Sequence, residues 1–79
     1  MTIAEALSIR LAELMKQKGI NAYRLYLKTG VNQTTIWDII KKRNASVNIR
    51  IIFELCQGLE VDIFEFFNSP IFKNENIVD

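Results

Sequence analysis

Apolar residues recur along this chain at three- and four-residue intervals, a spacing that predicts helices from one end to the other. Ile3, Leu7, Leu11 and Leu14, with Ala4 and Met15 beside them, form a stripe running to about Lys18. Thr2 stands ahead of that stripe with Glu5 three residues on, the spacing of a capping box, and Gly19 ends it. Asn21 is placed to cap a short second helix, Ala22 to Lys28, which Thr29 and Gly30 close because glycine accepts the left-handed conformation of a tight turn. Asn32 caps a third helix reaching Lys42, with Val31, Ile36, Ile39 and Ile40 on one side and Gln33, Thr34, Trp37, Asp38 and Lys41 on the other. After the polar connection Lys42 to Ser46, Asn48 caps a fourth helix, Ile49 to Gly58, with Ile49, Ile52, Phe53 and Cys56 near one face. Asp62 and Glu65 repeat the capping-box spacing for a fifth helix through Phe67, and Pro70 bars its easy continuation. No strand pattern, repeat or low-complexity tract competes. The expected fold is all-α, a five-helix domain over residues 1–68 followed by a partly ordered tail, 69–79, that has no strong period.

Composition narrows the function classes. A chain of 79 residues with 49% hydrophobic and 24% charged residues is large enough for one core and argues against disorder. No apolar run approaches the roughly 18 residues of a membrane span, and MTIAEALSIR lacks a basic leader and an apolar signal segment, so a cytoplasmic location is expected. Cys56 is the lone cysteine, sits in an apolar helical run and reads as a buried small hydrophobe. With no histidine, the usual zinc sites and the Ser-His or Cys-His triads are unavailable, and no metal or cofactor is expected. Asp38, Glu54 and Glu65 form no evident acid–base pair, so no catalytic residue is assigned.

A formal net charge of +1 hides a segregation along the chain. Between Lys16 and Arg43 stand seven basic residues and a single acid, Asp38, a local charge of +6 that leaves −5 for the remainder. Such a surface can displace counterions from phosphates while the molecule as a whole stays near neutral. The polar side of the third helix adds the chemistry of readout: amide, hydroxyl, ring, carboxylate and ammonium groups that can match donor and acceptor patterns on base edges.

The residues now carry a resemblance. Gly19-Ile20, Tyr23-Arg24-Leu25, the run Gly30-Val31-Asn32-Gln33-Thr34-Thr35-Ile36, and Ile49 to Phe67 resemble the helix-turn-helix family of phage Cro and repressor proteins, the Xre type, over roughly Leu11 to Phe67. The resemblance implies a lambda-repressor-like bundle whose third helix enters the DNA major groove while the second lies across the backbone. It implies a transcriptional regulator of double-stranded DNA, a repressor of the phage or mobile-element kind. Gln33 matches a position where the family commonly has Gln, whose amide can pair with adenine N6 and N7. Thr34, Trp37 and Asp38 complete the candidate base-reading set: Trp37 either folds back over Val31 and the second helix or packs in the groove, and Asp38 either accepts from cytosine N4 or pairs with Lys41 or Lys42. Candidate phosphate contacts are Tyr23, Arg24, Asn32, Lys41, Lys42, Arg43 and Asn44.

Several positions depart from the family pattern. Ala22 stands where a phosphate-binding Gln is frequent, Tyr26 where Ala lets the two helices close, and Lys42 where a helix-ending Gly is common. Met15 and Ile40 replace a buried Arg–Glu pair, and these two apolar side chains are expected to touch. A helix-turn-helix module that binds protein instead of specific DNA would show similar changes, and it stands as the alternative reading. A homodimer is expected because one short helix covers too few base pairs. Its candidate surface is Phe64 with Ile71 and Phe72, unless the last two fold back over their own molecule.

Overall fold

The computed structural model describes residues 1–43 and 46–79, and the described residues form five α-helices and no strand. These are α1 (Ile3–Lys18), α2 (Ala22–Thr29), α3 (Gln33–Ile40), α4 (Ile49–Leu59) and α5 (Ile63–Phe67), followed by 3₁₀ turns at Pro70–Phe72 and Asn74–Asn76. The caps read from the sequence form at four of the five starts. Thr2 and Glu5 exchange the two bonds of a capping box, and the Thr2 amide holds the Glu5 carboxyl below its ordinary range. Asn21, Asn32 and Asn48 each accept a backbone N–H of the helix they begin. At α5 the expected box is missing: the Asp62 side chain makes no capping bond.

The core is built from one stripe of each helix. Leu7, Leu11, Leu14 and Met15 of α1 meet Leu25 of α2, Ile36 and Ile39 of α3, and Phe66 of α5. From α4 the buried residues are Ile52, Leu55, Cys56 and Leu59, whereas Ile49 and Phe53, expected on the core side, are exposed. The inward face lies about a quarter turn from where the spacing of Ile49 and Phe53 suggested, because α2 covers the Leu55–Gly58 side. Burial raises the Cys56 thiol to about 11, so it remains a neutral core group at ordinary pH. Met15 lies in the core and Ile40 packs against that same core, while the Ser8 hydroxyl donates to the Ile40 carbonyl at 2.6 Å and ties α1 to the end of α3.

Gly58 was expected to end α4, yet the helix continues through Leu59 and turns at Glu60, whose φ of 59° puts it in the left-handed region. The glycine has a packing role: an added Cβ would collide with the Thr29 methyl and come within 2.9 Å of a Leu25 methyl. Glycine therefore sets how closely α2 and α4 approach. Thr29 is held in place there, its hydroxyl donating to the Leu25 carbonyl at 2.7 Å and accepting the Val31 amide at 3.0 Å.

One charge inside the fold had no role assigned by the sequence. Arg10 is 8% exposed; its Nε donates to the Phe66 carbonyl and its Nη2 to the Glu65 carbonyl, both at 2.7 Å, and Glu13 neutralises it. The guanidinium thus satisfies the Phe66 carbonyl at the C-terminal end of α5 and shares the Glu65 carbonyl with the Asn68 amide. The tail carries two short 3₁₀ turns. Pro70 opens a 3₁₀ turn instead of merely stopping a helix, and the Phe72 ring packs against Phe67 at 4.9 Å and Phe66 at 6.1 Å between centroids. The chain then returns to the start of α1, with the Val78 amide donating to the Met1 carbonyl and the Ile3 amide to the Asp79 carboxylate, each at 2.9 Å.

Two substitutions test this account by chemical denaturation. Gly58→Ala is expected to cost about 1–3 kcal/mol, against the usual gain from placing Ala inside a helix. Arg10→Met keeps the apolar stem but strands the Phe66 carbonyl, and leaves the Glu65 carbonyl to the Asn68 amide alone, at an expected cost of about 1–3 kcal/mol. An unchanged midpoint for either variant would contradict the packing described.

Candidate nucleic-acid interface

α2 and α3 meet through a turn whose geometry is set by Gly30, with φ 76°, and by the Thr29 hydroxyl. Val31 is buried immediately before α3, and Ile36 and Ile39 pin the helix to α1 and α2. This anchoring leaves a strip of α3 facing outward. Thr34, Trp37 and Lys41 are exposed, and Asp38 and Gln33 are half-buried at its sides. Asn32 is exposed, and its side-chain oxygen accepts the Thr34 amide at 2.8 Å, so its amide nitrogen remains available at the mouth of the helix.

The strip is already partly engaged with itself. The Lys41 ammonium lies over the Trp37 ring, 5.5 Å from its centroid, and the indole is 42% exposed. Of the two placements considered for Trp37, the ring stays on the outer surface under Lys41. Asp38 does pair internally, but with neither of the lysines considered: its Oδ1 accepts from Arg43 Nη1 at 3.3 Å. The reason is the helix end. The Lys42 amide donates to the Ile39 carbonyl and the Arg43 amide to the Asp38 carbonyl, with Lys42 at φ 59°, which is the Schellman arrangement with a lysine in the left-handed position. That turn folds Arg43 back onto Asp38, a relation at five residues that the three- and four-residue rules of a continuing helix do not reach.

The basic residues around the strip point outward. Tyr23 is 55% exposed, and Arg24, Lys42 and Arg43 are exposed. Tyr26, the bulky departure in α2, lies 38% exposed with its ring 6.4 Å from that of Tyr23, so it avoids crowding α3 by turning to the surface. Asn44 lies outside the described residues. At the opposite end, Phe64 is 77% exposed beside a shallow groove lined by Ile63, Phe67 and Asn68, while Ile71 and Phe72 are half-buried and Phe72 packs on the core. Among the described residues no group of three potential ligands could hold a metal ion, and no helix is long and apolar enough to cross a membrane.

Comparison with known proteins places this geometry. The family of Cro/C1-type HTH DNA-binding domains matches residues 10–69, from the buried Arg10 to the turn after α5. Among solved structures the chain is similar to that described as the crystal structure of the prophage Lp1 protein 11, with 28% identity and a TM-score of 0.78 over 89% of this chain and 92% of the other. Comparison with curated proteins found no match.

Proposed function

Because the chain belongs to the Cro/C1-type helix-turn-helix DNA-binding family, we propose that it is a sequence-specific transcriptional regulator, a repressor that reads the major groove with α3. The observation that carries this reading is the division of α3: Ile36 and Ile39 are locked in the core while Thr34, Trp37, Asp38 and Lys41 line the outside, within the segment of charge +6. Gln33 and Thr34 meet base edges at the start of the helix. Lys41 and Lys42 at its end, with Tyr23, Arg24 and Asn32, contact phosphates and set the register. The likeness to a prophage protein supports the phage or mobile-element setting of this reading.

A second reading, a protein-binding module on the same fold, draws support from Tyr23, Tyr26 and Leu27, three large exposed side chains on the helix that would face the DNA backbone. Retention of a mixed pool of genomic duplexes, with release as salt rises, distinguishes the two, since only phosphate contacts give that salt dependence. A protein that retains no duplex even at low salt would favour the second reading.

We also propose a homodimer, two copies reading half-sites about one helical turn apart. Phe64 is the residue to test, because Phe72 serves the monomer's own core. Phe64→Glu is expected to shift light scattering from dimer to monomer at micromolar concentration, with the thermal midpoint of the fold little changed. A dimer unaffected by Phe64→Glu would remove this surface from consideration.

The helix end offers a sharper check on the roles of individual residues. Lys42→Gly relieves a left-handed residue and is expected to stabilise the fold by about 0.5–1 kcal/mol, yet to weaken binding to all duplexes alike and flatten the salt slope. Gln33→Ala is expected to leave stability unchanged and to cost roughly 1–3 kcal/mol on the selected operator, with little loss on random DNA. Equal losses on both DNAs from Gln33→Ala would refute its role in readout.

A further inference from the structure

Asp38 is the only acid in the basic segment Lys16 to Arg43, and it stands on the helix side turned away from the core. An unpaired carboxylate at that position would repel the phosphates that the surrounding cations attract. The structure resolves the conflict within the chain. Arg43 is tied to Asp38 twice, by its amide on the Asp38 carbonyl at 2.9 Å and by its guanidinium on Oδ1 at 3.3 Å, and the left-handed turn at Lys42 makes both bonds possible. Among the described residues Oδ2 accepts no hydrogen bond. The pair is therefore close to neutral as a unit and presents one oriented acceptor.

We propose that Asp38 and Arg43 act together as a specificity element: Asp38 accepts from the exocyclic amino group of a cytosine in the operator, and Arg43 is the positioning residue that orients the carboxylate and cancels its charge. This rests on the reading that α3 enters the major groove. The choice of base follows from edge chemistry. Cytosine presents an amino donor alone, adenine sets an acceptor nitrogen beside its amino group, and guanine and thymine present acceptors that repel a carboxylate. One oriented acceptor thus rejects guanine and thymine and favours cytosine over adenine, whose N7 lone pair opposes the carboxylate, so a cytosine is selected at a single position. Arg43 consequently contributes to sequence preference, whereas a residue that only met phosphate would strengthen binding to every sequence alike.

The experiment is selection from a randomised duplex pool by the full chain and by Asp38→Ala, Asp38→Asn, Arg43→Ala and Arg43→Lys, followed by titration of the selected site and of its single-base variants. The folding of each variant is checked by thermal melting. The wild type is expected to enrich cytosine at one position by about fivefold or more over each other base, the scale of one good base contact. Asp38→Ala is expected to lose the preference there alone and to bind random duplexes more tightly, and Asp38→Asn to move the preference toward adenine. Arg43→Ala is expected to lose most of the cytosine preference although Asp38 is intact, with partial recovery in Arg43→Lys. Uniform weakening by Arg43→Ala, with the cytosine preference retained, would overturn the pairing and leave Arg43 as a phosphate contact. An enriched operator that Asp38→Ala reads identically would overturn the role of Asp38 while leaving the proposed function standing. Failure of the wild type to retain any duplex would overturn both.

Discussion

A five-residue helix cannot hold itself together, because the first hydrogen-bonded turn fixes several residues for a single bond and so short a segment never recovers that cost. α5 is such a helix, and its leading Asp62 supplies no capping bond. It persists because Phe66 is fully buried at one side and because Arg10, from the middle of α1, takes the carbonyls of Glu65 and Phe66. The guanidinium suits this position for reasons a lysine would not share: its planar donors reach two carbonyls at once while Glu13 holds the remaining edge. Phe66 in turn packs against Phe67 and Phe72, so the buried cation and the aromatic cluster hold the same end of the bundle. The opposite side of α1 carries α3, through the shared core and the Ser8 bond to the Ile40 carbonyl. Ser8 and Arg10 stand two residues apart on α1, so the ties to α3 and to α5 leave the helix within a single turn.

The helix ends show where this chain spends stability. α1 ends at a glycine in the left-handed region, but at the ends of α3 and α4 the same conformation is taken by Lys42 and Glu60. Each such residue costs on the order of 1 kcal/mol relative to a residue that tolerates positive φ. At Glu60 a weak return is visible in the pairing with Lys28 at 3.4 Å, an exposed contact worth a fraction of that cost. At Lys42 the return lies outside the fold: the lysine adds a cation at the end of α3, and its conformation folds Arg43 onto Asp38.

Much of the fold was legible in the sequence because helix starts and apolar periodicity are local. Thr2 with Glu5, Asn21, Asn32 and Asn48 mark beginnings by chemistry within three residues, and the structure places caps at all four. What escaped was tertiary. Gly58 near the end of a pattern looks like a stop signal, and only the Thr29 methyl from another helix reveals its purpose. Arg10 among the polar positions of an amphipathic helix looks like a solvated charge, since its partners lie more than fifty residues away. Ile49 and Phe53 fit the period of α4 yet fall off its buried face, because period alone does not say where along a helix the neighbours begin. Of the candidate interface, the outward strip of α3 could be read from spacing, whereas the mutual engagement of Asp38 and Arg43 could not. The pair depends on a left-handed residue at a position where the sequence offers no glycine to announce it.

These observations bear on how a near-neutral molecule can present a strongly basic face. Six of the eight acids outside the Lys16–Arg43 segment follow it in the sequence, and one of them, Glu60, reaches back to Lys28 at 3.4 Å, so the basic segment is partly offset where α2 meets the end of α4 and keeps its excess charge elsewhere. Orientation by charge is indifferent to sequence and grows with every added lysine. Readout needs the reverse, groups that bind poorly except against one partner. On α3 and the turn that ends it, Lys41 lies over Trp37 and Arg43 bonds Asp38, so each of these cations is held beside a neighbouring side chain. Holding them there reduces the side-chain freedom that any partner of this surface would have to remove, and it leaves fewer cations free. A surface arranged in this way holds fewer free cations than its sequence charge suggests, because the Asp38–Arg43 pair largely cancels beside the exposed Trp37 and Lys41.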